Sequence, residues 1–142
     1  IWIKNVGSKA NTITIKNGTL DAGTTAYCAL CTASSHDNQL TINLENITLI
    51  NKHSNGSTVK VRAGSVVNVK AGTKITGKDS YVGIEAVGNN TVVNVYDGAK
   101  IYQNGTSSYV GAIIGASYNA TLNIYGGEGK LSLGTCSECN RK

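Results

Sequence analysis

One polar residue bracketed by two aliphatic ones recurs along the chain: Ile13-Thr14-Ile15, Ile42-Asn43-Leu44, Val67-Asn68-Val69, Val93-Asn94-Val95 and Leu122-Asn123-Ile124. Alternation with period two places the flanking residues on one side of an extended strand and the central one on the other. The central positions lie 29, 25, 26 and 29 residues apart, so the strand motif is also the mark of a repeat. Most of these cores are followed by a turn signal, Asn17-Gly18, Ala71-Gly72, Asp97-Gly98 and Gly126-Gly127, and all by a second apolar strand near Leu20, Leu49, Ile75, Ile101 or Leu131. A third short strand recurs at Tyr27 to Leu30, Val59 to Val61, Val82 to Val87 and Val110 to Ile114. The segments from Tyr81 and from Tyr109 are two visible copies, sharing Tyr-Val-Gly, an apolar-Asn-apolar-Tyr core and a Lys-apolar ending.

Three short strands per 25–29 residues describe one coil of a solenoid whose inward side chains are buried only when neighbouring coils stack. The expected fold is therefore all-β: a parallel, right-handed β-helix of about five coils, forming one domain over residues 1–142. An antiparallel sandwich also has many short strands, but its turns do not impose this repeat. The register predicts that Val69, Val93, Val95 and Ile124 point inward. Thr14, Asn43, Asn68, Asn94 and Asn123 form an outward polar stripe, read as a solubilising face or a stack of side-chain amides.

The stretch GAIIGASYNATLNIYGG near the C-terminus resembles repeats of large bacterial cell-surface and secreted proteins. In those repeats an Ala-Ile-Gly-Gly-like strand precedes an Ile-Thr-Ile-x-Gly-Gly strand. The likeness runs from Tyr81 to Gly134, with Gly115-Ala116 in place of the usual glycine pair. It implies pectate-lyase-like coils serving in adhesion or as surface stalks.

Composition agrees with strands and tight turns: 17 Gly, no Pro, no Met and no Phe, with 15% charged residues. Apolar residues make up 40% and fall in ordered runs, which excludes a disordered chain. The net charge of +5 comes from scattered Lys and Arg without a compact basic patch, so no nucleic-acid partner is expected. No run approaches the roughly 18 apolar residues of a membrane-spanning helix, and no membrane insertion is expected. A chain starting at Ile1 reads as a processed form or as a piece of something longer.

Enzymes built on such coils gather several carboxylates around a metal or a scissile bond. Here the eight acids scatter. Glu45, Asp97 and Glu128 follow first strands, Glu85 lies on a third strand, and Asp21, Asp37, Asp79 and Glu138 fall in turns. Asp97 and Glu128 come nearest to sharing a phase. His36 and His53 sit in polar loops without ligand spacing. No catalytic residue, metal site or cofactor is expected, and the chain is read as a non-enzyme.

Cys28 and Cys31 form one C-x-x-C and Cys136 and Cys139 another. An even cysteine count in a chain of secreted character points to disulfides. Local bridges within each pair compete with a cross-link from Cys136 or Cys139 to Cys28 or Cys31 of an adjacent copy. Six N-x-[ST] sequons mark Asn17, Asn46, Asn55, Asn89, Asn104 and Asn119 as candidate N-glycan sites, mostly at coil corners. Tyr96 and Tyr125 share one repeat phase and are the candidate ligand face.

Taken with the strand edges that a solenoid exposes at its ends, these features predict an extracellular or cell-surface structural protein. It would be a subunit of a filament or appendage that associates with itself head to tail. The alternative is a carbohydrate-binding or adhesin module carrying its ligand on the tyrosines.

Overall fold

The computed structural model describes residues 1–6, 9–34, 39–78, 82–105 and 112–133. Thirteen strands and no helix are found among them: β1 (Trp2–Ile3), β2 (Asn11–Asp21), β3 (Leu30–Thr32), β4 (Leu40–Asn51), β5 (Ser57–Arg62), β6 (Val66–Val69), β7 (Lys74–Lys78), β8 (Val82–Val87), β9 (Val92–Val95), β10 (Lys100–Gly105), β11 (Ala112–Ser117), β12 (Thr121–Ile124) and β13 (Glu128–Leu133). Every pairing between them is parallel. A strand pairs with its counterpart one coil away, never with its sequence neighbour, which makes the chain a β-solenoid of about four turns.

Three ladders run along it, each five strands deep. The first halves of β2 and β4 continue into β6, β9 and β12, and their second halves into β7, β10 and β13. The third ladder is the sheet β1-β3-β5-β8-β11. The predicted phases hold in the first ladder, where Ile13, Ile42, Val67, Val93 and Leu122 are in register. In the second, Leu20, Leu49, Ile75 and Ile101 align as expected, but Gly129 rather than Leu131 faces Ile101. In the third, Leu30, Val59, Ile84 and Ile114 align. That strand therefore begins at Leu30, not at Tyr27.

The corner between the first two ladders shows how local sequence sets the path. Asn17 and Asn46 adopt the left-handed conformation there (φ 58° and 47°), so β2 and β4 bend without ending. From Val69 to Ile75 the chain is one residue longer than from Leu44 to Leu49. The extra residue turns the bend into a true break between β6 and β7. Gly72, Gly98 and Gly127 hold the left-handed place in the later coils (φ 74°, 75° and 101°). A Cβ on Gly98 would also lie only 3.0 Å from the Cβ of Ala71 in the coil beneath.

The core is a column of aliphatic side chains from all three ladders, with Leu30, Ile42, Leu44, Leu49, Val59, Ile75, Ile84 and Val93 fully buried. Val69, Val93 and Val95 are buried as the alternation predicts. Ile124 is not: it pairs in register with Val95 yet is 62% exposed. The reason is position along the axis, because β12 lies at the edge of its ladder and no further described strand stacks on it. Ile124, Leu122, Ile113 and Ile114 line an apolar cleft of about 500 Å³ at that end, beside Val95 and Ile101.

Candidate functional site

The outward stripe is a continuous chain of amides. Asn68 Nδ2 donates to Asn43 Oδ1 (2.9 Å), Asn94 to Asn68 (2.8 Å) and Asn123 to Asn94 (2.9 Å). An amide carries both donor and acceptor, so identical copies one coil apart satisfy each other. Each interior member is used on both sides, which makes this face a structural seam.

Tyr96 and Tyr125 follow Val95 and Ile124, and their rings stack with centroids 5.2 Å apart and planes 23° from parallel. The pair is real, but each ring spends one face on the other. A platform for a sugar needs ring faces turned outward, and stacking leaves each ring at most one. In the preceding coils the same position holds Lys70 and Glu45, joined at 2.7 Å.

All six sequon asparagines are exposed: Asn17, Asn46, Asn55, Asn89, Asn104 and Asn119. Two pairs stack on adjacent coils. Asn46 Nδ2 donates to Asn17 Oδ1 (3.0 Å) and Asn119 Nδ2 to Asn89 Oδ1 (3.1 Å). The nitrogen that would carry a glycan is thus engaged at Asn46 and Asn119.

Cys28 and Cys31 are bonded to one another, with Cα atoms 6.1 Å apart, and both side chains are buried. A bridge between them occupies the thiols that a cross-link to an adjacent copy would require. Cys136 and Cys139 lie outside the described residues, as do His36, Asp37, Asp79 and Glu138. Cys28 precedes the paired part of its strand, and counting back from Leu30 sets it in the phase of Ser57, Val82 and Ala112.

Most of the described acids meet a lysine across coils. Asp21 contacts Lys52 at 2.9 Å, Glu45 Lys70 at 2.7 Å and Glu128 Lys100 at 3.8 Å, while Tyr102 donates to Glu128 at 3.0 Å. The Lys52 ammonium holds Asp21, and the Lys70 ammonium Glu45, below their ordinary carboxyl range. Asp97 and Glu128 do not share a phase: Asp97 lies against Gly126, and Glu128 pairs in register with Lys100. His53 packs on the Tyr27 ring at 4.4 Å. No group of three or more metal-ligating side chains occurs among the described residues.

A second feature escaped the sequence. On the outer side of the third ladder, Trp2, Cys31, Lys60 and Glu85 form one register row across four coils. With Tyr27 and the loop before β5 they enclose a cleft of about 700 Å³. On its floor Glu85 Oε2 accepts from Lys60 Nζ (2.8 Å) and from Ser57 Oγ (2.6 Å), with Arg62 two residues along the same strand as Lys60. Burial pushes the Glu85 carboxyl up, but Lys60 and Ser57 outweigh it and hold the group below its ordinary range. Trp2 and Tyr27 stand at the rim, 70% and 67% exposed. The row becomes readable from the sequence only when the third strand is anchored on Leu30. No family model, curated protein or solved structure matches the chain.

Proposed function

We propose that the chain is a non-enzymatic structural rod of an extracellular or surface assembly, lengthened by end-on-end stacking of further copies. The observation that carries this reading is the apolar cleft formed by Ile113, Ile114, Leu122 and Ile124 at one end of the solenoid. It continues the buried column of the core, and it adjoins strand edges whose N–H and C=O groups take a parallel partner. A stacked coil would satisfy both requirements at once. Contact of one end with the other is heterologous, so it does not close and it propagates. The bonded cysteine pair supports an oxidising compartment. The cross-coil lysine partners of Asp21, Glu45, Glu85 and Glu128 support a role without general acid–base chemistry. The likeness to bacterial surface repeats supports the same assignment.

Negative-stain microscopy of the purified chain tests it. Rods of variable length that shorten when Ile124 is replaced by Glu are expected. A uniform population of single short particles at every concentration overturns the reading. The alternative, a carbohydrate-binding module built on Tyr96 and Tyr125, is weaker because those rings face each other.

A further inference from the structure

We infer that two copies meet in one register: β2 of the second copy continues the first ladder beyond β12, setting its Ile13, Thr14, Ile15 and Lys16 against Leu122, Asn123, Ile124 and Tyr125. This joint rests on the end-on-end stacking proposed above, and the repeat fixes which residue faces which.

Rows in all three ladders select that register. The Tyr125 ring gives one face to Tyr96, with centroids 5.2 Å apart, and turns its other face along the axis at the end of the ladder. The same outer position in earlier coils holds Lys16, Glu45 and Lys70, with Lys16 the register partner of Glu45 and Lys70 bonded to it at 2.7 Å. A second copy in register sets its Lys16 ammonium over the free face of Tyr125, and the negative face of an aromatic ring attracts a cation. The row then runs cation, anion, cation, ring, ring, cation, with no like charges adjacent. In the amide seam, Asn123 Nδ2 donates to Asn94, while Asn123 Oδ1 accepts from none of the described residues. The Thr14 hydroxyl of the second copy stands one strand spacing away and can donate to it. On the inner side, Ile13 and Ile15, only partly buried in the single chain, cover Leu122 and Ile124. In the second ladder, Gly129 stands where Leu49, Ile75 and Ile101 fill the earlier coils, and the cleft of about 500 Å³ opens beside it. Ile124 and Gly129 are as many residues apart as Ile15 and Leu20, so the same placement of β2 brings Leu20 into that gap. The third ladder is set one coil lower than the other two, so seating β2 on β12 brings β1 against β11. There Trp2, 70% exposed, meets Gly115, the place in its row that has no side chain. A slip of one residue would turn Thr12 and Thr14 toward the core, and a slip of two would take Lys16 off Tyr125 and Leu20 off Gly129.

Within one chain, Thr14 and Asn123 lie at opposite ends of the first ladder, so a bond between those positions joins two copies. Adjacent parallel strands bring Cα atoms to about 4.8 Å, within the span of a disulfide. Under mild oxidation of the full chain, the double variant Thr14→Cys, Asn123→Cys is expected to give a ladder of oligomers on a non-reducing gel, with the linkage between positions 14 and 123 identified by peptide mass. Thr14→Cys with Thr121→Cys, on the same face but two residues out of register, is expected to give no such linkage. Lys16→Met and Tyr125→Leu are each expected to raise the concentration at which rods appear in negative stain by about fivefold. The two together are expected to raise it no further than either alone, because both remove the same contact. Circular dichroism matching that of the parent verifies that each variant is folded. Rods that lack the first linkage or form the second, or additive effects of Lys16→Met and Tyr125→Leu, overturn the register and leave the stacking. Chains that neither form rods nor cross-link overturn both. Rods that form only once residues 134–142 are removed also overturn the joint, since that segment would then hold the place given to the second copy.

Discussion

A valine and an isoleucine at the same place in successive coils have opposite fates. Val95 is 3% exposed and Ile124 62%, although they are register partners. Truncating Val95 to Ala removes two methyl groups from a filled column, and at about 0.8 kcal/mol for each carbon withdrawn from the core the loss is roughly 1.5 kcal/mol, plus a cavity term. Ile124→Ala removes atoms that already face water and is expected to shift stability by less than about 0.5 kcal/mol in the dispersed chain. Urea denaturation of both variants checks the contrast; equal losses would place Ile124 in the core. The sign of each side chain, inward or outward, was legible from the alternation. Its burial was not, because burial depends on whether another coil lies above, and no local pattern states that.

At the level of elements, the ladders owe their alignment to side chains that repeat in kind. Asn68 donates to Asn43 and accepts from Asn94, whereas Asn123 engages one neighbour among the described residues. With each such bond contributing about 0.5–1.5 kcal/mol, Asn68→Ala is expected to destabilise about twice as much as Asn123→Ala. Thermal melts that rank the two the other way would remove the seam from the account. The cross-coil ion pairs add a dependence on pH. Asp21, Glu45 and Glu85 all bind protons more weakly in the folded chain than in the unfolded one. Their contribution is therefore complete above the unfolded carboxyl range of about 4 and is lost as pH falls through the lower folded values. The melting temperature should drop on acidification below about pH 4, and the drop should shrink in Lys60→Met, which frees Glu85. A melting temperature that climbs on acidification would contradict the sign. The first ladder was legible to the residue, since its cores carry a polar marker at each centre, and the second followed from it as far as β10. The third was displaced because Tyr27, Cys28 and Ala29 form an apolar run without alternation, and the last second-ladder strand because Gly129 has no side chain to betray its phase. The cleft went unseen for the same reason: it joins positions 2, 27, 60, 62 and 85, which only the third register brings together.

For the molecule as a whole, parallel stacking sends each outer row straight along the axis, so a face is a property of the repeat and not of any single coil. The Trp2 to Glu85 row and the amide seam lie in different ladders, on separate faces of the solenoid. The spacing of the coils also governs how such a chain can come to be folded. No coil is stable before a neighbour exists, so the first step closes two loops at once, and every later step closes only one. Loop-closure entropy grows with the logarithm of length, and between 25 and 29 residues it differs by only about 0.1 kcal/mol. Each addition after the first therefore meets nearly the same barrier, and a coil already in place serves as a nucleus for the next, whichever molecule the incoming strand belongs to.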